Sequence, residues 1–421
     1  MTRLRRIAIE EVPEARVALP GEATTREAGR IVEDVRARGE EALREHAERL
    51  GDLGPHDRLT WDRQSLDRAR DAVEPAARAV LERAAESIGH FAAAQRESLR
   101  EVRVAIPGGW AGHSMAPVAS AGCYAPGGRF PLPSSVLMTV VTARAAGVSS
   151  VWVASPRPSP VTLAAASIAG ADGLLAAGGA HAIAALAFGA GPVPRCDLIA
   201  GPGNRWVTAA KRIVAGEVGV DLVAGPSELV VLADLSADAE LIAADLLAQA
   251  EHDPDAVPIL VTPDPQLAAR VEAVVEARLP RLATAATAAA ALANGGIVLV
   301  PTIEAGIEVC NRLAPEHLEV ITREPNAIAA RLVHYGALFL GRGAGEVLGD
   351  YGAGPNHVLP TGGAARFSGG LSVFTFLRVR TWMQIDDLDA ARPLLRDTAH
   401  LARLEGLDGH AQAAEARLAG R

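Results

Sequence analysis

Gln249 and His252 stand three residues apart in AQAEHD (248–253), at the end of the segment DAELIAADLLAQAEH, whose apolar periodicity predicts a helix. Side chains three apart leave a helix on one face, so an amide and an imidazole can reach a single cation. Histidine is a common zinc ligand and glutamine a rare one. The same pair would equally suit a solvated C-terminal turn, where an imidazolium meets the helix dipole. APEHLE (314–319) sets Glu316 beside His317 ahead of an apolar run. Histidine titrates near neutrality and suits general-base work, while an adjacent carboxylate can orient it or activate water. An ordinary strand-entry turn would carry the same residues. GDYGAGPNHVLPTGG (349–363) presents Asp350 and His357 from a loop whose glycines and prolines serve backbone shape. Both could reach a shared metal or substrate. LEGLDGH (404–410) carries Glu405 and His410 on what reads as an exposed terminal helix, and nothing local marks either as functional.

Cofactor signals are weaker. No GxGxxG follows a predicted strand, so the common dinucleotide fingerprint is missing, and no HExxH is present. GPGN (201–204) is a generic loop for close backbone or phosphate approach. Tyr124 could stack on a base or nicotinamide, or simply pack in a core. Cys123, Cys196 and Cys310 form no CxxC pair and read as small buried residues rather than activated nucleophiles.

These residues need elements to hold them. Residues 22–103 read as helix, with charges alternating with apolar positions. From about residue 117 the texture changes to short apolar runs ending in Gly or Pro, alternating with Ala-rich helical stretches. The runs are SSVWVASP, GLLAAGG, DLIAGPGN, ELVVLAD, VPILVTPD, GGIVLVPT, HLEVIT and GALFLG. Continuous runs of this kind are buried parallel strands, and their alternation with helices predicts an α/β fold. Residues 384–419 return to helix. The loops YAPGG, AGPGN, AGPSE and GDYGAGPNH are expected to follow strands, since open α/β sheets bind ligands at their carboxyl ends.

A chain of 421 residues has room for two to four domains at roughly 100–200 residues each, with a site between them. The formal charge of −9 and the lack of a basic stripe argue against nucleic acid as a partner. The apolar stretches are interrupted, which argues against a membrane span. The first residues lack the apolar core of a signal peptide, and the cysteines form no disulfide framework, so a cytoplasmic protein is expected.

The strings YAPGG, PSSVLM, GGAHAIAALAFG, GPGN, AGPSE, QAEHDPDA, APEHLE, GDYGAGPNHVLPTGG and EGLDGH occur in the order and near the spacing of one family. Over nearly its whole length the chain resembles histidinol dehydrogenase. The resemblance implies one zinc ion per subunit, held by Gln249, His252, Asp350 and His410. It implies Glu316 and His317 as the catalytic pair. Substrate contacts fall on Ser227, Gln249, His252, His317, Asp350, His357, Glu405 and His410. NAD contacts fall on Tyr124, His181 and Asn204. The implied architecture is two Rossmann-like open α/β domains, incomplete and without the GxGxxG fingerprint, plus a small helical C-terminal tail. The expected boundaries are 1–116 with 227–365 for the first domain, 117–226 for the NAD-binding second, and 366–421 for the tail. The tail would reach the partner subunit of an intertwined homodimer with shared sites. The implied reaction is the oxidation of L-histidinol to L-histidine through histidinal with two NAD. The chain departs from the family pattern at His181, where glutamine is usual, in APVASAGC before YAPGG, and in FLRVRT near 376–381. A related zinc and NAD dehydrogenase of another small alcohol, such as a sulfonated diol, is the alternative. A zinc hydrolase turning over without NAD and a catalytically silent scaffold are the readings from other classes.

Overall fold

Each of the eight apolar runs becomes a strand of a mainly parallel sheet. The computed structural model describes residues 4–12, 20–127, 131–222 and 225–419. One sheet contains β1 (Arg6–Ile7), β10 (Glu228–Ala233), β11 (Val257–Thr262), β12 (Gly296–Leu299), β13 (His317–Ile321) and β14 (Ala337–Leu340). Their spatial order is β1-β12-β11-β10-β13-β14, and all neighbours run parallel. The second sheet contains β2 (Thr60–Asp62), β5 (Ser120–Tyr124), β6 (Ser150–Ala154), β7 (Gly173–Leu175), β8 (Leu198–Ala200) and β9 (Gly219–Val220). Its order is β2-β7-β6-β5-β8-β9, parallel throughout except for β2 against β7. With the edge strands β1 and β2 set aside, both sheets follow one pattern: third, second, first, fourth, fifth in chain order. That is the doubly wound arrangement, with its topological switch between the first and fourth strands.

Strand alternation explains the burial. Leu229, Val231 and Ala233 of β10 join one apolar cluster, under the helices Ala239–His252 and Pro265–Arg278. Val230 and Leu232 join the cluster on the opposite face, with Ile307 and Cys310 of the helix Ile303–Leu313. Both faces of the sheet are therefore covered, which is why its strands read as unbroken apolar runs. The three cysteines are free and buried, and burial pushes each thiol up to about 12, as expected for packing residues. Among the described residues no helix is long and apolar enough to cross a membrane.

Two expectations need correction. Residues 22–97 do not belong with the first sheet. The helices Glu22–Arg38 and Glu40–Arg49 pack on Gly179–Phe188, and Arg63–Ala72 and Pro75–Glu97 pack on Pro160–Ala169 and Pro133–Ala146, all around the second sheet. Only β1 joins the first. The apolar stripe Ile31, Val32, Val35 shows that the first helix must bury a face, but an Ala-rich helix on either sheet would accept it. The tail, expected to be largely helical, also contributes a strand, because β15 (Leu377–Ile385) pairs antiparallel with β4 (Gly109–Pro117), which pairs with β3 (Val102–Ile106). None of these strands is buried on both faces, and their apolar residues are interrupted by arginine, glycine and polar residues, so they lack the unbroken apolar signature of the buried ones.

Candidate active site

The chemistry-bearing residues converge at the amino-terminal ends of β10 and β13, not at carboxyl ends. Leu229 pairs with His317, so Glu228 and Glu316 lie side by side at the entry to the two strands. The described part of AGPSE, residues 225–228, lies between β9 and β10 and leads directly into β10. The described part of YAPGG, residues 124–127, and AGPGN continue from the ends of β5 and β8, Gly128 lying outside the described residues. The helix Glu346–Tyr351 carries Asp350 toward the same point, and the helix Ala239–His252 ends there with His252.

Asp350 is the hub. Its carboxylate oxygens lie 3.8 Å from His252 Nε2, 3.9 Å from His317 Nε2 and 3.9 Å from His357 Nδ1. The His317 Nδ1–H donates to the Glu228 carbonyl at 3.2 Å. Since a carbonyl only accepts, the proton sits on Nδ1 and Nε2 carries a lone pair. That Nε2 is buried and has no hydrogen-bond partner. Burial lowers the ring to about 4, so the imidazole is neutral across the physiological range. Glu316 accepts the Glu228 N–H at 2.9 Å, and burial raises its carboxyl well above the ordinary range. Burial also lifts Glu228 to about 7, while its Oε1 accepts the Gly362 N–H at 3.0 Å. His357 donates from Nδ1 to the Asp350 carbonyl at 2.9 Å, leaving Nε2 3.5 Å from the Ser135 hydroxyl.

Ser135 belongs to the helix Pro133–Ala146, which packs on the second sheet, so the site lies where the two α/β layers meet. Asn356 fastens this junction. Its amide donates to the Met138 carbonyl at 2.8 Å and to Thr142 Oγ1 at 3.0 Å, while its carbonyl accepts the Val358 N–H at 3.0 Å.

Polar groups left without partners mark the centre of the site. Gln249 is 0% exposed, yet neither atom of its amide is hydrogen-bonded. Glu346, one helical turn before Asp350, is also fully buried with both carboxylate oxygens unpaired. Burial, and then the nearby Asp350 charge, holds its carboxyl well above the usual range. Ligand atoms of His252, Glu346 and Asp350 all lie within 4.8 Å of one another. Orphaned buried groups on this scale call for a ligand, and a mixed nitrogen and oxygen set around a carboxylate suits a divalent cation. The sequence reading missed Glu346, although its place four residues before Asp350 put both on one helix face.

The remaining predicted residues lie in three places. Tyr124, His181 and Asn204 gather at the carboxyl ends of β5, β7 and β8. Tyr124 is packed in the core, and its hydroxyl accepts the Gly179 N–H at 3.2 Å. His181 is buried with Nε2 3.0 Å from Asp52, which also takes the Gly178 N–H at 2.7 Å. Asn204 is exposed and caps the helix Arg205–Val214 through bonds from Trp206 and Val207. Tyr124 and His181 thus build the floor of this crevice. Glu405 and His410 stand apart from Asp350, exposed on the tail helices Arg392–Leu404 and Asp408–Ala419 or at their junction. Those helices pack on each other through a small alanine cluster. Ser227 sits beside Glu228 at the entry to β10, partly exposed.

A family model described as histidinol dehydrogenase matches residues 16–418. The chain is 46% identical over 389 residues to the histidinol dehydrogenase of Thermus thermophilus, covering 92% of this chain and 93% of that one. It is 42% identical to the enzyme of Pseudomonas syringae pv. tomato, covering 92% and 88%. The crystal structure of histidinol dehydrogenase from Elizabethkingia anophelis superposes with a TM-score of 0.91 at 29% identity, covering 99% of this chain and 98% of that one. The chain therefore belongs to the histidinol dehydrogenase family of oxidoreductases.

Proposed function

We propose that the chain oxidises L-histidinol to L-histidine through histidinal, a four-electron reaction of histidine biosynthesis using two NAD and one zinc ion per subunit. The observation that carries this reading is the neutral, unpaired Nε2 of His317 lying 3.9 Å from an Asp350 carboxylate that also faces His252 and His357.

The residues fit zinc. His252 and Asp350 offer a nitrogen and an oxygen donor, Gln249 an amide with no other partner, and His410 would come from a second copy of the chain. Bound there, zinc would supply a template for the substrate's nitrogen atoms, and NAD over the crevice between β5 and β8 would accept each electron pair. The protein's own groups handle the protons. His317 takes the alcohol proton on Nε2, its tautomer fixed by the bond to Glu228. Glu316 removes a proton from the water that adds to the aldehyde, and burial makes its carboxylate a stronger base than an exposed one. The protonated His317 returns its proton to the aldehyde oxygen as water adds, and so is free to take a proton again in the second oxidation. Ser227, His357 and Glu405 position the substrate, and Tyr124, His181 and Asn204 shape the dinucleotide crevice.

Glu405 and His410 act in the site of the partner subunit of a cytoplasmic homodimer. Val379 and Met383 of β15 are exposed, as are Leu401 and Leu404 of the tail helix, and exposed apolar residues of this kind suit contact with a second copy. The test is turnover of purified protein with L-histidinol while NADH is followed. About two NADH per substrate are expected. One equivalent, or product formed without NAD, would overturn the assignment.

A further inference from the structure

Lys211 is the single lysine in a chain with 41 lysines and arginines. Arginine fills every other basic position, and the exception is a residue only 2% exposed. Its ammonium pairs with Asp221, also buried, and donates to the Gly201 carbonyl at 2.9 Å. Asp221 holds the other side of the same glycine, with Oδ2 accepting the Gly201 N–H at 2.7 Å and Oδ1 accepting the Leu222 N–H at 2.6 Å. Its own N–H donates to the Ile199 carbonyl of β8 at 3.1 Å.

Both peptide groups of Gly201 are therefore held by one ion pair. Gly201 needs that hold, because its φ of +117° is a conformation only glycine adopts readily, and a Cβ there would lie 2.0 Å from the Tyr124 carbonyl oxygen. The ends of β5 and β8 thus meet backbone to backbone at Gly201, at the floor of the crevice, and Asn204 follows three residues later.

We propose that Lys211 and Asp221 brace the Gly201–Asn204 loop and that Lys211 is a positioning residue for the dinucleotide. This rests on the reading of the crevice between β5 and β8 as the NAD site. A buried ion pair is a poor source of stability, and apolar residues of similar volume would hold the helix to the sheet as well. What the charges add is a fixed orientation for two backbone groups. The compact ammonium reaches both acceptors in an enclosed space that a planar guanidinium, with its five donors, does not match.

The experiment compares wild type, Lys211→Arg and the double variant Lys211→Met/Asp221→Leu by thermal denaturation, NAD titration and steady-state kinetics. The double variant should melt close to wild type while its Kd and KM for NAD rise roughly tenfold to a hundredfold, as misplaced binding groups cause. The loss should fall more on KM for NAD than on kcat, and Lys211→Arg should share it. If the double variant does not fold, Asp221→Asn, which keeps the volume, carries the same comparison. Folded variants that bind NAD like wild type would overturn the brace alone. A wild-type chain with no saturable NAD binding would overturn the crevice reading and the brace with it.

Discussion

Among the residues of the site, the adjacent side chains Glu316 and His317 commit their polar atoms differently, which is the ground for proposing separate tasks for them. His317 spends Nδ1–H on a carbonyl and keeps Nε2 free, whereas Glu316 spends one oxygen on the Glu228 N–H. His317→Asn should slow both oxidations by roughly 10²–10⁴-fold, the usual contribution of a general base. Glu316→Gln should slow histidinal oxidation far more than histidinol oxidation. Single-turnover NADH formation from each substrate measures the two halves separately, and equal losses for Glu316→Gln would refute the division. Gln249 permits a prediction of opposite signs. Its buried amide makes no hydrogen bond, and such a group costs about 1–3 kcal/mol. Gln249→Leu should therefore raise the melting temperature of metal-free protein while weakening zinc binding in a chelator competition. Stability and function pull apart in this way where a site keeps polar groups for a ligand.

At the element scale, the site depends on how the loop after the helix Glu346–Tyr351 is tied to the helix Pro133–Ala146. Asn356 makes that tie with two hydrogen bonds to the helix, and a third, from the Val358 N–H, shapes its own loop. At about 0.5–1.5 kcal/mol each, Asn356→Ala should lower unfolding stability by roughly 2–4 kcal/mol. Its neighbour His357 would lose its fixed distance from Ser135, so activity should fall as well. Urea unfolding reads the first effect and initial rates the second. An unchanged midpoint with unchanged slope would show that the tie is redundant. The parallel strands were legible because each is covered on both faces and must be apolar throughout. The hairpin β3–β4 and the partner strand β15 were not, since none is buried on both faces and each mixes apolar residues with arginine, glycine or polar ones, which leaves no unbroken apolar run.

At the scale of the whole molecule, Glu405 and His410 lie on an exposed helical tail, away from Asp350. If the tail completes a second copy's site, His410→Ala and His317→Ala proteins should each be nearly inactive. Co-expressed, they should recover activity, because a mixed dimer holds one site with both lesions and one with neither. The yield should approach a quarter of the wild-type sites at equal expression, about half of all dimers being mixed with one good site each. Tagged purification of mixed dimers followed by a rate measurement decides this, and inactive mixed dimers would place His410 elsewhere.

The α/β class, the strands buried on both faces and the chemical types at the site were all readable in the order of the amino acids. Glu316, His317, Asp350 and His357 were marked by local strings, and all four meet in the folded chain. A local pattern reports a residue's type and the face it occupies. It does not report which distant face it will meet. Only the tertiary structure decided that the N-terminal helices cover the second sheet, that the site lies at the entry to β10 and β13, and that Glu346 faces His252 and Asp350. Those outcomes depend on the register of parallel strands joined by long crossovers, and on burial that leaves some polar atoms unpaired, which are properties of packed pairs of elements rather than of any one segment.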